Sequence, residues 1–144
     1  MEMTCCFVDT SFWIASYRRH DQYSDCAKAW RKWLKANRTK LVTTEAVLWE
    51  WLNGMSDIPT RQEAANGYRY CHNDPQFEVI PFRLDLIHRA FELYHSRIDK
   101  RGSLTDSLSF VVMHDWKITD ALTTDHHFQQ AGFRALLLEE PPSP

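Results

Sequence analysis

The sequence predicts an α/β fold in which a central parallel sheet of about five strands is covered by helices on both faces. Two observations predict it. Short apolar runs alternate along the whole chain with longer segments of helical pattern. The runs are mainly apolar and lack a regular alternation with polar residues, which is typical of parallel strands that are buried on both faces.

Size and composition fit one such domain. The chain has 144 residues, of which 44% are hydrophobic and 25% are charged, and a chain of this length can bury a substantial core. No linker or internal repeat interrupts it, so we expect residues 1–140 to form a single domain. Residues 141–144 are expected to form a short proline-rich tail.

Five apolar runs are the candidate strands. In chain order they are 5–8 (CCFV), 41–43 (LVT), 77–81 (FEVIP), 120–123 (DALT) and 135–138 (ALLL). The segments between and after these runs are the candidate helices. They lie near 11–18, 23–37, 45–55, 60–72, 83–98, 105–115 and 125–131.

The clearest amphipathic helix lies over 24–37. Apolar side chains line one of its sides, and the other side carries a basic stripe, formed by Lys28, Arg31, Lys32 and Lys35. Such a stripe is either an ordinary solvated face or a surface that follows a phosphate backbone. Arg18 and Arg19 could add to a basic surface of the second kind.

Composition excludes several classes of protein. No apolar run approaches the roughly 20 residues that a membrane-spanning helix needs, and the N-terminus (MEMTCCF) lacks the pattern of a signal peptide. We therefore expect a cytoplasmic protein with no membrane contact. The four cysteines show no CxxC spacing, which argues against a structural zinc site. The net charge of −2 gives no global attraction to nucleic acid.

Acidic residues follow several of the predicted strands. Asp9 comes directly after 5–8, and Asp125 comes shortly after 120–123. Asp106 opens a predicted helix after a Gly-Ser turn, and Glu45 and Glu50 belong to the helix after 41–43. Taken singly, each acid could cap a helix or occupy its first turn. A parallel sheet would instead bring several of them to one edge, where its ligands bind.

Convergence of these acids would have a chemical consequence. Carboxylates within a few ångströms of one another repel, and one or more would protonate unless a cation compensated their charge. A hard divalent ion, Mg²⁺ or Mn²⁺, prefers such oxygen ligands. The reaction that uses an all-oxygen site of this kind is phosphodiester hydrolysis.

Four stretches of the chain resemble the successive motifs of the PIN-domain family. They are "FVDTSFWIA", "VTTEAVLWEWLN", "SLTDSLSFVVM" and "ALTTDHHFQQAGF", and they cover nearly the whole chain. The last two are most similar to the bacterial branch that includes the VapC-type toxins. The resemblance implies a three-layer α/β/α fold and a ribonuclease that depends on Mg²⁺ or Mn²⁺.

The resemblance also implies roles for particular residues. Asp9, Asp106 and Asp125 match the first, third and fourth family acids and would hold the ion. Ser11 matches the neighbouring polar residue of the first motif and would contact substrate. Glu50 matches the family glutamate better than Glu45, although a helical wheel alone leaves the two open. The catalytic set is then Asp9, Glu50, Asp106 and Asp125. Independently of the resemblance, the basic stripe would bring Lys28, Arg31 and Lys32 into contact with RNA.

Two departures from the family pattern concern histidines. Ser24 stands where many relatives have a histidine, and His127 replaces an acid that some relatives carry. The pair His126-His127 suggests a metal site, but adjacent residues on a turn are expected to point apart, which favours a surface role.

The expected function is that of an RNA-cleaving toxin in a type II toxin–antitoxin pair. A small antitoxin would be its protein partner, docking on aromatic surface such as Trp30, Trp33 or Trp51, and a homodimer is also expected. Three alternatives stay open. They are a structure-selective DNA nuclease, a non-catalytic PIN-like module that binds RNA, and a structural domain whose acids are all helix caps.

Overall fold

The computed structural model describes residues 2–18, 20–97 and 101–143. Arg19, one of the two arginines proposed to steer RNA, lies outside these residues. Within these ranges the chain forms five strands: β1 (Cys5–Val8), β2 (Lys40–Thr44), β3 (Phe77–Ile80), β4 (Asp120–Leu122) and β5 (Arg134–Ala135). Seven α-helices are present among the described residues: α1 (Thr10–Tyr17), α2 (Ser24–Ala36), α3 (Glu45–Gly54), α4 (Ile58–Asn73), α5 (Leu84–Ser96), α6 (Leu104–Asp115) and α7 (His126–Gln130).

The strands form one parallel sheet in the order β3-β2-β1-β4-β5. Helices flank this sheet, so the predicted three-layer α/β/α architecture is confirmed. The central strand β1 is buried except for Cys5, and pairs Phe7 with Val42 on one side and with Ala121 on the other. An apolar strand with neighbours on both edges and helices over both faces has no contact with water, which explains why its run is apolar throughout.

The strand order reverses between β1 and β4. From β1 the chain builds β2 and β3 towards one edge of the sheet, then returns to place β4 and β5 on the other side of β1. Helices on the two sides of such a reversal leave a crevice at the carboxyl ends of the two strands. The crevice lies where β1 and β4 end, and Asp9 and Asp125 follow those two strands.

Helix α2 shows how the amphipathic pattern becomes packing. Ala27, Trp30 and Leu34 are fully buried on one face, while Lys28 and Lys32 are exposed on the other. The indole N–H of Trp30 donates to the carbonyl of Glu139 at 2.8 Å, which ties the helix to the C-terminal segment. Burying an indole of this size stabilises the domain by roughly 3 kcal/mol.

One predicted strand is largely wrong. The run 135–138 was expected to be extended, but β5 is only Arg134–Ala135, and Leu136–Leu138 form a single 3₁₀ turn. Leu136 and Leu137 are buried in this turn as they would be in a strand. An apolar run of this length is compatible with either conformation, so the pattern alone did not distinguish them.

The other element bounds agree with the predicted ones to within a few residues. The helix expected over 83–98 is observed as Leu84–Ser96, and residue 98 lies outside the described ranges. Over the part of the chain that the structure describes, no helix is long and apolar enough to cross a membrane.

Candidate active site

Asp9 lies at the end of β1, next to the crevice. It is 4% exposed, and its backbone N–H continues the ladder to β4 by donating to the carbonyl of Leu122 at 3.2 Å. Asp9 occupies the N-cap position of α1, yet its side chain makes no capping hydrogen bond. The carboxylate instead accepts from the hydroxyls of Thr123, at 2.8 Å, and Ser11, at 3.2 Å. The capping explanation of this acid therefore fails.

Asp106 is both a capping residue and a member of the site. Its Oδ2 accepts from the backbone N–H of Ser103 at 3.2 Å, and Ser103 Oγ accepts from the backbone N–H of Asp106 at 3.0 Å. These reciprocal bonds form a capping box that begins α6. Asp106 is 8% exposed, so the box fixes a nearly buried carboxylate at the start of a helix.

Asp125 also caps a helix. Its Oδ1 accepts from the backbone N–H of His127 at 2.9 Å, at the start of α7. Its own backbone N–H donates to the hydroxyl of Thr123 at 3.0 Å. The side chain is 29% exposed, which leaves it open to solvent or to an ion.

The two glutamates of α3 have different surroundings. Glu45 accepts from the phenolic hydroxyl of Tyr68 at 3.0 Å and lies 2.7 Å from His72 Nε2, so it binds α4. Glu50 is exposed, and its charge raises the pKa of both Asp9 and Asp106. The structure thus brings Glu50 towards the acidic residues and engages Glu45 elsewhere, which supports the choice of Glu50.

The electrostatics show that these acids form one cluster. Burial, followed by the charge of Asp106, raises the pKa of Asp9 from 3.8 to about 7, against the hydrogen bond from Thr123, which lowers it. Burial likewise raises the pKa of Asp106, and the charges of Asp125 and Glu50 raise it further, against the hydrogen bond from the Ser103 backbone N–H and a smaller effect of His127, which both lower it. The charges of Glu50, Asp106 and Asp125 thus act on Asp9 or on Asp106, and we refer to Asp9, Glu50, Asp106 and Asp125 together as the acidic cluster.

Thr123 is a site residue that the sequence analysis missed. It is fully buried, donates to Asp9 and accepts from the backbone N–H of Asp125, so one hydroxyl joins the ends of β1 and β4. Ser11 lies 3.2 Å from the same hydroxyl and accepts from the backbone N–H of Thr124 at 3.1 Å. The structure therefore uses the Ser11 hydroxyl to hold the site together. The stretch "LTTD" contains two adjacent threonines, and nothing in it indicates which of them turns inward.

The two adjacent histidines do not point apart as expected. The ring centroids of His126 and His127 are 4.4 Å apart, with an angle of 32° between the ring planes. His127 Nδ1 lies 2.8 Å from Asp125 Oδ1, and His126 Nδ1 lies 3.8 Å from the same oxygen. The expectation is wrong because the tight turn into α7 directs both rings towards the carboxylate that caps it.

The structure does not bring Arg31 to the acidic cluster. Its guanidinium donates to Gln76 at 2.7 Å and to the Tyr70 hydroxyl at 2.8 Å, and it lies over the ring of Phe77. Phe77 is the first residue of β3, so Arg31 lies at the amino edge of the sheet. The cluster lies at the carboxyl edge, a strand length away. Lys28 and Lys32 are exposed on the same helix.

The tryptophans named as an antitoxin surface are mostly core residues. Trp30 and Trp51 are fully buried, and Trp33 is partly buried against the core. Some of the exposed apolar side chains lie instead beside Glu50 of the acidic cluster, among them Trp49, which is 55% exposed and in edge contact with Phe82. These two line a groove of about 440 Å³. The other side chains of this groove belong to α3, α5 and α6 and include Glu50, Ile87, Leu104 and Thr105.

The fold and the acidic cluster together define the class of the protein. The family model of the PIN domain matches residues 6–134, and the chain belongs to the PIN domain family. The resemblance inferred from the four sequence motifs is thereby confirmed. The VapC-type proteins of this family are nucleases.

Solved structures give the same result. The chain is similar to VapC20 of Mycobacterium tuberculosis, a toxin that cleaves the sarcin-ricin loop, with 28% identity and a TM-score of 0.77, over 89% of this chain and 95% of that chain. It is similar in fold to VapBC2 of Rickettsia felis bound to a DNA fragment from its promoter, with 15% identity, a TM-score of 0.67, and 91% and 96% of the two chains covered. FitAcB of Neisseria gonorrhoeae has 14% identity and a TM-score of 0.60, over 90% and 94% of the two chains. A search of curated proteins found no match.

Proposed function

We propose that the protein is a metal-dependent endoribonuclease that hydrolyses RNA phosphodiester bonds. One observation carries the proposal: Asp9 and Asp106 are two nearly buried carboxylates whose like charges repel one another at the crevice between β1 and β4. A fold gains no stability from burying two acids that repel. Such an arrangement is selected when a bound cation compensates the charges during function.

The donor chemistry of the acidic cluster suits a hard divalent cation. Asp9, Asp106 and Asp125 would hold Mg²⁺ or Mn²⁺, and Glu50 would bind it directly or through water, so the donors are oxygen atoms. When bound, such an ion supplies activation of the attacking water and stabilisation of the negative charge that develops on the phosphate oxygens.

The chain's own groups prepare this site. Thr123 and Ser11 orient the Asp9 carboxylate, and the capping box orients that of Asp106, so neither side chain has to be ordered when the ion binds. Near neutral pH a proton resides on Asp9 for part of the time, because its pKa is about 7. That proton must leave the carboxyl group before both of its oxygens become available.

The substrate class is supported by similarity. The solved structure at 28% identity is that of a toxin that cleaves the sarcin-ricin loop, and the match covers 89% of this chain. We therefore propose RNA as the substrate, cut in the cytoplasm. Lys28 and Lys32 are exposed and could attract its phosphates at long range, whereas Arg31 is engaged by Gln76 and Tyr70.

We further propose that the protein is the toxin of a type II pair and that a small antitoxin is its partner. VapC20, the similar structure at 28% identity, is a toxin, which supports this. The groove lined by Trp49 and Phe82 offers the antitoxin an exposed apolar surface beside the acidic cluster. A homodimer is proposed as well, and light scattering of the purified chain at several concentrations would test it.

The decisive experiment measures cleavage of a single-stranded RNA by the purified protein with Mn²⁺, beside a flapped DNA of matched length. Wild type is expected to cut the RNA. Asp9→Asn is expected to lower the rate by more than about 100-fold, because removing a metal ligand lowers activity more than removing a residue that only orients a ligand. Asp120→Asn is the matched control, because Asp120 lies at the opposite end of β4. Preferential cleavage of the DNA, or an unchanged rate in Asp9→Asn, would contradict the proposal.

A second experiment separates the two glutamates of α3. Glu50→Gln is expected to weaken Mn²⁺ binding in calorimetry by about 10-fold, a typical cost for an outer ligand. Glu45→Gln is its control on the same helix and is expected to leave Mn²⁺ affinity unchanged. The reverse pattern would assign the site to Glu45.

A further inference from the structure

The start of α7 brings together three side chains that can bind a metal ion. A carboxylate oxygen of Asp125 and one ring nitrogen each of His126 and His127 lie within 4.8 Å of one another. We refer to these three residues as the Asp-His-His cluster. It borders the acidic cluster, since Asp125 belongs to both.

The local fold holds the Asp-His-His cluster in place. The ring of Phe128 is fully buried against Phe7 and Phe110, which anchors the backbone of the turn. The capping bond from the backbone N–H of His127 to Asp125 Oδ1, at 2.9 Å, orients the carboxylate. The side chain of His127 is only 20% exposed, so its ring is held by packing as well.

The donor set differs from that of the acidic cluster. Imidazole nitrogen suits Zn²⁺ and similar transition ions, whereas Mg²⁺ prefers oxygen. Two histidines and one carboxylate are a known ligand set for zinc, and they leave a fourth position open. Zinc bonds are about 2.0–2.2 Å long, which at tetrahedral angles separates the donor atoms by roughly 3.3 Å. The 2.8 Å between Asp125 Oδ1 and His127 Nδ1 must therefore widen slightly, and the ring of His126 must come closer. The His126 side chain is 66% exposed and can rotate to do so.

We infer that Asp125, His126 and His127 form a binding site for Zn²⁺ that is chemically distinct from the oxygen-only site proposed for Mg²⁺ or Mn²⁺. The two sites share one carboxylate. A zinc ion in the Asp-His-His cluster therefore withdraws Asp125 from the acidic cluster, and the two sites compete for it.

Direct binding tests the inference without any nucleic acid. Zn²⁺ is titrated into the full chain in competition with a chromophoric chelator, for wild type, His126→Gln and His127→Gln. We expect one equivalent to bind to wild type and the affinity to fall by at least about 10-fold in each variant. His72→Gln is the matched control, because His72 also pairs with a carboxylate, that of Glu45 at 2.7 Å, but has no second histidine beside it. It is expected to bind Zn²⁺ as wild type does.

Cobalt substitution identifies the donor atoms. Co²⁺ bound to the Asp-His-His cluster is expected to give visible bands without the near-ultraviolet band of a cobalt–thiolate bond, which would reveal binding at the half-buried Cys5 or Cys26. Equal Zn²⁺ affinity in wild type and both histidine variants, or a thiolate band in the wild type, would overturn the inference. Since no substrate is present, these outcomes are independent of whether the protein cleaves RNA.

Discussion

The protonation of Asp9 should make the stability of the metal-free protein depend on pH. Burial and the charge of Asp106 raise the Asp9 pKa from 3.8 to about 7 in the folded chain, whereas the unfolded chain keeps the ordinary value. The folded state therefore binds the proton more tightly. The stability that this proton contributes is complete below a pH of about 4 and is lost as the pH rises through about 7.

The size of the effect follows from the same two values. A change from 3.8 to about 7 corresponds to about 4 kcal/mol when the shift is complete, since one pH unit is worth about 1.4 kcal/mol. Between about pH 5 and about pH 8.5 the change amounts to about 3 kcal/mol. Asp9→Asn keeps the shape of the side chain and has no charge to bury. The free energy of unfolding of Asp9→Asn minus that of wild type is therefore expected to rise by about 3 kcal/mol between about pH 5 and about pH 8.5.

Urea unfolding in EDTA buffers measures this difference directly. The matched control is Asp115→Asn. Arg89 lowers the pKa of Asp115, so this exposed ion pair does not make the free energy of unfolding depend on pH above about pH 5. Mn²⁺ in place of EDTA should stabilise wild type more at high pH than at low pH, because at low pH it must displace the Asp9 proton. Wild-type and Asp9→Asn curves that run parallel over the whole interval would refute the electrostatic account of the acidic cluster.

Two further predictions concern packing and positioning. Thr123→Val removes the hydroxyl that donates to Asp9 at 2.8 Å. Calorimetry should show that Mn²⁺ binding is weakened by about 10-fold. An unchanged Mn²⁺ affinity would show that Thr123 does not position Asp9. Gly67→Ala places a Cβ 2.5 Å from the Trp51 ring, and urea unfolding should show a loss of about 1–3 kcal/mol. Gly54→Ala, where a Cβ meets nothing within 4 Å, is its control, and equal stability of the two variants would contradict the close packing.

The strands β1 to β4 were predictable because a short apolar run marks each of them, whereas most of the apolar run at 135–138 forms a 3₁₀ turn. The run at 5–8 is apolar throughout and becomes the central strand β1, and the acids that follow the strands could be collected from the sequence before their proximity was known. The family motifs supported the same acids. Chain order and strand ends thus determine which edge of the sheet an acid reaches.

Side-chain contacts between distant segments were not predictable in the same way. Thr123 meets Asp9 across more than a hundred residues of chain, and nothing in the stretch "LTTD" indicates which threonine turns inward. Trp49 and Trp51 are two positions apart on α3, yet one is 55% exposed and the other is fully buried. Their difference depends on how α3 packs, which the weak amphipathic pattern of that helix does not reveal.

The position of the basic stripe also required the three-dimensional structure. The sequence showed that Lys28, Arg31 and Lys32 share one face of α2, which the structure confirms for the two exposed lysines. It did not show that Arg31 contacts residues at the amino end of β3. The direction in which α2 crosses the sheet determines which end of β3 Arg31 reaches. Helical periodicity does not predict that direction.

The central claim is that the acidic cluster holds a divalent ion, and anomalous diffraction from crystals grown with Mn²⁺ tests it most directly. The account predicts one strong manganese peak at the carboxyl ends of β1 and β4, within about 2.5 Å of carboxylate oxygens of Asp9, Asp106 and Asp125. A peak elsewhere, or these carboxylates lying more than about 10 Å apart with no ion between them, would contradict it.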